Sequence, residues 1–272
     1  MANKPLLYII KLGGAPIDQP EVLEAFLSSF ATLARQQDTS QKNYSLLVHG
    51  GGKLATELAS QLGIEQQLHE GRRITDRKTL KVATMVYAGY INKNIVASLQ
   101  AKGCNAMGLT GADANLITAQ KRAATPIDYG YVGDPTSVNT DLINSLLSKE
   151  ITPVVAPVTH NGQGQLLNTN ADTIAQHLAI ALSKDYRVEL IYIFERKGVL
   201  ADTEDPESVI RTINTSLYRT LKEKKSVHSG MLPKLDNAFA ALAAGVAAVR
   251  IGKENALLSL VKGQAGTTLQ YA

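Results

Sequence analysis

The stretch Ser45-Leu46-Leu47-Val48-His49-Gly50-Gly51-Gly52 decides how the rest of the chain is read. Its aliphatic run shows no polar alternation, which is how a strand buried on both faces reads. Three successive glycines then raise the entropic cost of folding, so they belong where backbone must turn sharply or approach a ligand closely. Leu54, Leu58, Ala59 and Leu62 follow at helical spacing up to Gly63, a residue suited to ending a helix. Upstream, Leu6-Leu7-Tyr8-Ile9-Ile10 is a second continuous apolar run, stopped by Gly13-Gly14. Val22, Phe26, Phe30 and Leu33 place an amphipathic helix between the two runs. Strand, helix, strand, glycine turn and helix make the βαβ rhythm of a parallel sheet.

The rhythm continues with helical patterns over 76–90 and 92–102 and a short strand over 106–109. A polar, turn-rich segment at 121–136 reads as a hairpin or lid. Then come a strand at 151–158, a helix at 171–182, a strand at 190–194, a helix at 233–247 and a final strand at 248–251. The expected class is α/β, an αβα three-layer sandwich around a mostly parallel open sheet, with two lobes in one subunit meeting near 157–172. The chain has 272 residues and is 44% hydrophobic, enough for a real core, which excludes a disordered chain. Its net charge of +4 suits anionic small molecules, and no basic run with interleaved aromatics points to nucleic acid. Lys121-Arg122 and Lys222-Glu223-Lys224-Lys225 read as solvated faces. A single cysteine, Cys104, excludes an internal disulfide and a multi-cysteine metal site, and it reads as a buried structural thiol. Nothing near the N-terminus reads as a signal peptide, and no apolar stretch is long enough for a bilayer. The expectation is a cytoplasmic protein with small-molecule partners, no nucleic acid and no membrane.

Four features point to handling of anions. Lys11-Leu12-Gly13-Gly14 puts a lysine at the end of the first strand before a double-glycine turn, and His49-Gly50-Gly51-Gly52 puts glycines at a helix N-terminus. Both lie at carboxyl ends of parallel strands, where α/β proteins bind ligands. Asn168-Thr169-Asn170-Ala171-Asp172 and Gly230-Met231-Leu232-Pro233-Lys234 open two further helices with amides, a carboxylate and a lysine. Backbone N–H groups at such turns and mobile lysine charges are what phosphoryl transfer between two anions requires. Each feature also has a plain structural reading: a tight turn, a strand-end charge or an N-cap. The Walker spacing and the G-x-G-x-x-G spacing are both missing, and the five histidines show no metal-ligand spacing. His49 is expected to stabilise its turn.

Taken in order, K-L-G-G, V-H-G-G-G, G-R-R-I-T-D, G-L-T-G-A-D, N-T-N-A-D and G-M-L-P-K resemble the acetylglutamate kinase branch of the amino acid kinase family over essentially the whole chain. The resemblance implies ATP with Mg2+ as cofactor, with N-acyl-glutamate and dimerisation on residues 1–170 and ATP on residues 171–272. Lys11 and Lys234 match lysines that contact the transferring phosphoryl group and the leaving ADP, and Asp172 the aspartate that orients them. Gly14 and Gly51, with Gly13 beside them, match the glycines around the phosphates. Gly51 and Gly52 match those that receive the side-chain carboxylate, while Arg73 and Asn168 match the pair on the α-carboxylate. No general base is implied, because the acceptor carboxylate is already ionised at neutral pH. The chain begins close to its first strand, so a homodimer without arginine feedback is the expectation.

Two positions depart from the family pattern. Phe194-Glu195 stands where a small hydroxyl residue and an aspartate are usual near the ribose, with Glu195 the replacement for the aspartate. Arg72 precedes the α-carboxylate arginine, near the acyl group, and a guanidinium suits a succinyl carboxylate better than an acetyl methyl. N-succinyl-L-glutamate is therefore an alternative substrate, with a solvent-facing Arg72 as the plain reading. A non-catalytic amino-acid sensor on the same fold is the alternative of another class. Within kinases, one acting on carrier-bound aminoadipate or on free glutamate is a minor alternative.

Overall fold

The computed structural model describes residues 4–36, 42–69, 72–202, 204–223 and 231–271. Gly71, Lys224, Lys225 and Gly230, which belong to motifs quoted above, lie outside the described residues. In chain order the elements are β1 (Leu6–Leu12), a single helical turn α1 (Gly14–Ile17), α2 (Pro20–Arg35), β2 (Asn43–His49), α3 (Gly52–Gln61), β3 (Gln67–His69) and β4 (Arg72–Ile74). There follow α4 (Arg77–Thr84), a π-helical segment (Met85–Ile91), α5 (Asn92–Ala101), β5 (Ala106–Leu109), β6 (Ile117–Lys121), β7 (Gly133–Val138), α6 (Thr140–Ser148) and β8 (Thr152–Val155). The chain continues with β9 (Val158–His160), β10 (Leu166–Asn168), α7 (Ala171–Leu182), β11 (Arg187–Phe194), β12 (Thr212–Ile213) and α8 (Thr215–Glu223). The last elements are α9 (Leu232–Ala243), β13 (Ala248–Lys253), α10 (Leu257–Val261) and β14 (Thr267–Leu269). Two compact units result, Met1–Leu46 with Ala175–Ala272, and Leu47–Ile174.

In the first unit β11 is the central strand, parallel to β1 on one side and to β13 on the other. β1 and β11 are largely apolar and buried because both faces of a parallel sheet are covered, whereas β13, with Arg250 and Lys253, is only partly so. Leu7, Ile9 and Ile10 of β1 and Val188, Leu190 and Ile191 of β11 have no exposed surface. Helix α2 starts on Pro20 and buries Phe26, Leu27, Phe30 and Ala31, the face its spacing predicts. The strand expected to be final, over 248–251, has a neighbour that the sequence reading missed. β14 returns antiparallel beside β13 and pairs in parallel with β12. Three residues after Gly266 are too few to show a strand period.

In the second unit β8 lies between β2 and β5, parallel to both. The expected strand at 151–158 is broken at Ala156-Pro157, since proline has no N–H for a ladder. Its second part, β9, joins a separate sheet in the order β10-β9-β6-β7. The segment read as a hairpin or lid is the tip of the antiparallel β6–β7 pair. Its Tyr129-Gly130-Tyr131 is tied to Thr75 by Thr75 N–H to Tyr129 O (2.9 Å) and Tyr131 N–H to Thr75 O (2.7 Å). The two helices expected at 76–90 and 92–102 are one continuous rod, with the π-helical turn where a break was expected. On α3 the buried residues are Ala55 and Ala59, whereas Leu62 is 55% exposed. The apolar stripe of α3 thus faces away from the core at its C-terminal end. Among the described residues no helix is long and apolar enough to cross a membrane.

Candidate active site

Within Leu47–Ile174 a chain of hydrogen bonds links Gly52, Arg73 and, through Thr75, Asn168, with Gly51 next to Gly52 in the chain. Gly51 is the N-cap of α3 with φ +141°, a conformation that side-chain-bearing residues rarely adopt. No side chain caps this terminus and its first turn carries no acidic residue, so its N–H groups are presented as an anion site. The close packing of Gly51 also forbids a side chain, because a Cβ there would lie 2.1 Å from Ile91 Cδ1. Arg73, on β4, donates from Nη2 to Gly52 O and Thr56 Oγ1, each at 2.8 Å, and from Nη1 to Gln66 Oε1. Its charge also acts on Tyr87, whose hydroxyl pKa is pushed up by burial and partly lowered again by the guanidinium. Asn168 Nδ2 donates to Thr75 Oγ1 (3.0 Å), and Thr75 Oγ1 donates to Arg73 O (3.2 Å). An arginine fork and an amide are thus fixed beside an uncapped helix N-terminus.

Asn170 Oδ1 caps α7, accepting from Asp172 N–H (2.7 Å) and Thr173 N–H (3.3 Å). This leaves the Asp172 carboxyl in the first helical turn rather than spent as a cap. Arg72 and Arg73 are successive strand residues, so they point to opposite faces, and Arg72 is exposed. The structure does not bring Arg72 to the Gly52 side of the ribbon.

In the other unit Lys11 sits at the carboxyl end of β1 and is 9% exposed. Gly13 N–H donates to Ile193 O (3.0 Å), and a Cβ at Gly13 would meet that same oxygen at 3.0 Å. Gly13 is therefore required for the close approach to β11, and Gly14 starts α1. Lys234 lies in the first turn of α9, its Nζ 5.4 Å from the centroid of the Phe194 ring. Phe194, the residue that departs from the family pattern, thus carries the lysine on its face, while Glu195 beside it is exposed.

The sequence pattern of the amino acid kinase family matches residues 7–253. The chain belongs to that family. It is 55% identical to the acetylglutamate kinase of Cytophaga hutchinsonii over 94% of both chains. It is 48% identical to that of Bacteroides fragilis over 93% of this chain and 94% of the other. Among solved structures, N-acetylglutamate synthase of Neisseria gonorrhoeae with coenzyme A and N-acetyl-glutamate superposes with a TM-score of 0.81 at 20% identity, covering 97% of this chain and 59% of that one. Carbamate kinase of Giardia lamblia bound to AMP-PNP gives 0.70 at 14% identity, over 100% and 99%.

A member of the amino acid kinase family is a phosphotransferase, and several residues at this kinase's glycine turn escaped the motif reading. Thr56 and Gln66 share the Arg73 guanidinium, and Tyr87, Ile91 and Asn92 come onto the turn from the π-helical segment and the start of α5. One signal existed for Asn92: it lies in helical register with the apolar Ile95 and Leu99, a polar residue on a buried stripe.

Proposed function

We propose that this kinase transfers the γ-phosphoryl group of ATP to the side-chain carboxylate of N-acetyl-L-glutamate. The match to acetylglutamate kinases over 94% of both chains carries the reading. The geometry supports it by offering a place for each anionic group. Gly51 and Gly52 N–H groups receive the side-chain carboxylate, with the α3 dipole favouring its charge. Arg73 and Asn168 hold the α-carboxylate, which suits a planar fork and an amide. Gly13, Gly14, Lys11 and Lys234 serve the phosphates, and Lys11, Lys234 and Asp172 form the catalytic set. Glu195 is kept on the nucleotide side. The expected division, acyl-glutamate on 1–170 and ATP on 171–272, is kept with one change. Lys11, Gly13 and Gly14 lie in the same compact unit as Phe194 and Lys234.

When bound, ATP with Mg2+ supplies the phosphoryl group and neutralises part of its charge. Among the described residues no three His, Cys, Asp or Glu side chains cluster, so phosphate oxygens and water are the fitting ligands for that ion. What the chain contributes is position and positive charge. The carboxylate acceptor is already ionised at neutral pH and needs no base. The reading includes a homodimer and a cytoplasmic enzyme of arginine biosynthesis. Exposed Leu62, Leu68, Met85, Tyr90 and Met107, all in Leu47–Ile174, are the apolar surface a second copy would cover.

ADP release from ATP with N-acetyl-L-glutamate, followed by a coupled assay, tests the activity. N-succinyl-L-glutamate is run beside it in wild type and Arg72→Ala. The exposed Arg72 predicts preference for the acetyl substrate in both. No turnover with either acceptor would favour a sensor.

A further inference from the structure

The π-helical segment delivers Asn92 to a fully buried position beside His49, and the hydrogen bonds there fix the protons of both side chains. Val154 O can only accept, so the Asn92 atom 3.0 Å from it is Nδ2. Lys93 Nζ can only donate, so the Asn92 atom 3.2 Å from it is Oδ1. The second Nδ2 hydrogen then meets His49 Nε2 at 3.1 Å, which makes Nε2 the acceptor. The neutral imidazole must carry its proton on Nδ1, and Nδ1–H donates to Gly50 O at 2.9 Å. The remaining link is covalent. Gly50 C=O and Gly51 N–H belong to one planar trans peptide, so their directions are opposed. Holding the oxygen inward against His49 aims the Gly51 N–H outward.

We propose that Asn92 and His49 are positioning residues that orient the Gly51 N–H toward the phosphoryl acceptor by fixing the Gly50–Gly51 peptide plane. The role rests on the kinase reading given above. Gly51 O accepts from Ala55 N–H at 3.2 Å, which holds the peptide on its C-terminal side; a glycine at φ +141° has wide backbone freedom, and the His49–Gly50 O contact fixes the peptide on its N-terminal side. Two further details support a dedicated device. Burial keeps His49 neutral, with its pKa lowered to about 4, so the Nδ1–H tautomer persists through the neutral range. Room for the Asn92 amide is made by Gly108, where a Cβ would lie 1.9 Å from Asn92 Oδ1.

The test joins a spectroscopic and a kinetic readout. Long-range 1H–15N NMR of the wild-type protein is expected to show the Nδ1–H tautomer for His49. An asparagine amide nitrogen falls near the Nδ1 position of histidine and a glutamine one near Nε2. His49→Asn is therefore expected to keep kcat within about threefold, whereas His49→Gln and Asn92→Leu lose roughly 10- to 100-fold with the KM for ATP little changed. A packing role predicts the opposite ranking, because asparagine leaves the larger void. An Nε2–H tautomer in the wild type, or His49→Asn no better than His49→Gln, overturns the proposal. Absence of wild-type turnover overturns the kinase reading and this role with it, and differs from the other outcomes because those leave wild-type activity intact.

Discussion

Acidification is the perturbation to which the glycine turn should respond most legibly. His49 is wholly buried, and desolvation lowers its pKa from the ordinary 6.5 to about 4. In the unfolded chain the same imidazole takes up a proton near 6.5. Between these values the unfolded state binds more protons, so stability falls as pH falls. The contribution is fully present above 6.5 and is lost progressively down to about 4. At about 1.4 kcal/mol per tenfold change in proton affinity, the whole loss is about 3 kcal/mol. The part falling between pH 7 and pH 5 is about 2 kcal/mol. Carboxylates also weaken the fold in acid, so the comparison is between wild type and His49→Asn, which cannot titrate at that position. Urea unfolding of both at pH 7 and pH 5 should show the wild type losing about 2 kcal/mol more than the variant. Parallel losses, or an NMR titration of His49 with a midpoint near 6.5, would refute the argument from burial.

Three further outcomes are expected. Gly51→Ala forces a side chain into φ +141° and against Ile91, costing roughly 1–3 kcal/mol in urea unfolding together with most of kcat. Arg73→Lys gives up the forked contacts to Gly52 O and Thr56 Oγ1. Charge-assisted bonds contribute about 1.5–3 kcal/mol, so the KM for N-acetyl-L-glutamate should rise at least about tenfold in steady-state kinetics while that for ATP stays put. In the other unit, Glu189 is 3% exposed and paired with both Arg187 and Arg250. Glu189→Met alone should cost about 3–5 kcal/mol by stranding Arg250, and adding Arg250→Met should recover most of it in thermal unfolding.

What the sequence made legible is the part built from uninterrupted patterns. β1, β2 and β11 are apolar runs of the kind a sheet covered on both faces accounts for, and glycines follow β1 and β2 at their carboxyl ends. Elements of two or three residues left no period to read, which is why β12 and β14 were missed and β9 was merged with β8. The π-helical segment was invisible for a different reason. An i to i+5 turn changes which neighbours a residue meets but not its composition, so Asn92 read as an ordinary helix residue. Arg73 and Asn168 were recoverable because both sit in recognisable motifs. Thr75, the hydroxyl that links them, lies in the same G-R-R-I-T-D motif as Arg73, but nothing in the sequence shows that its hydroxyl bridges to Asn168.

The first compact unit is discontinuous along the chain, and this orders events during synthesis. Met1–Leu46 leaves the ribosome well before Ala175–Ala272, with which it packs, whereas Leu47–Ile174 is contiguous. At ordinary elongation rates the interval is on the order of ten seconds. For that time β1 lacks β11, and the apolar run Leu6–Leu12 presents an unpaired edge to solvent or to a chaperone. Leu47–Ile174 is contiguous, so every residue that contacts the Arg73 guanidinium is synthesised before the central partner of β1.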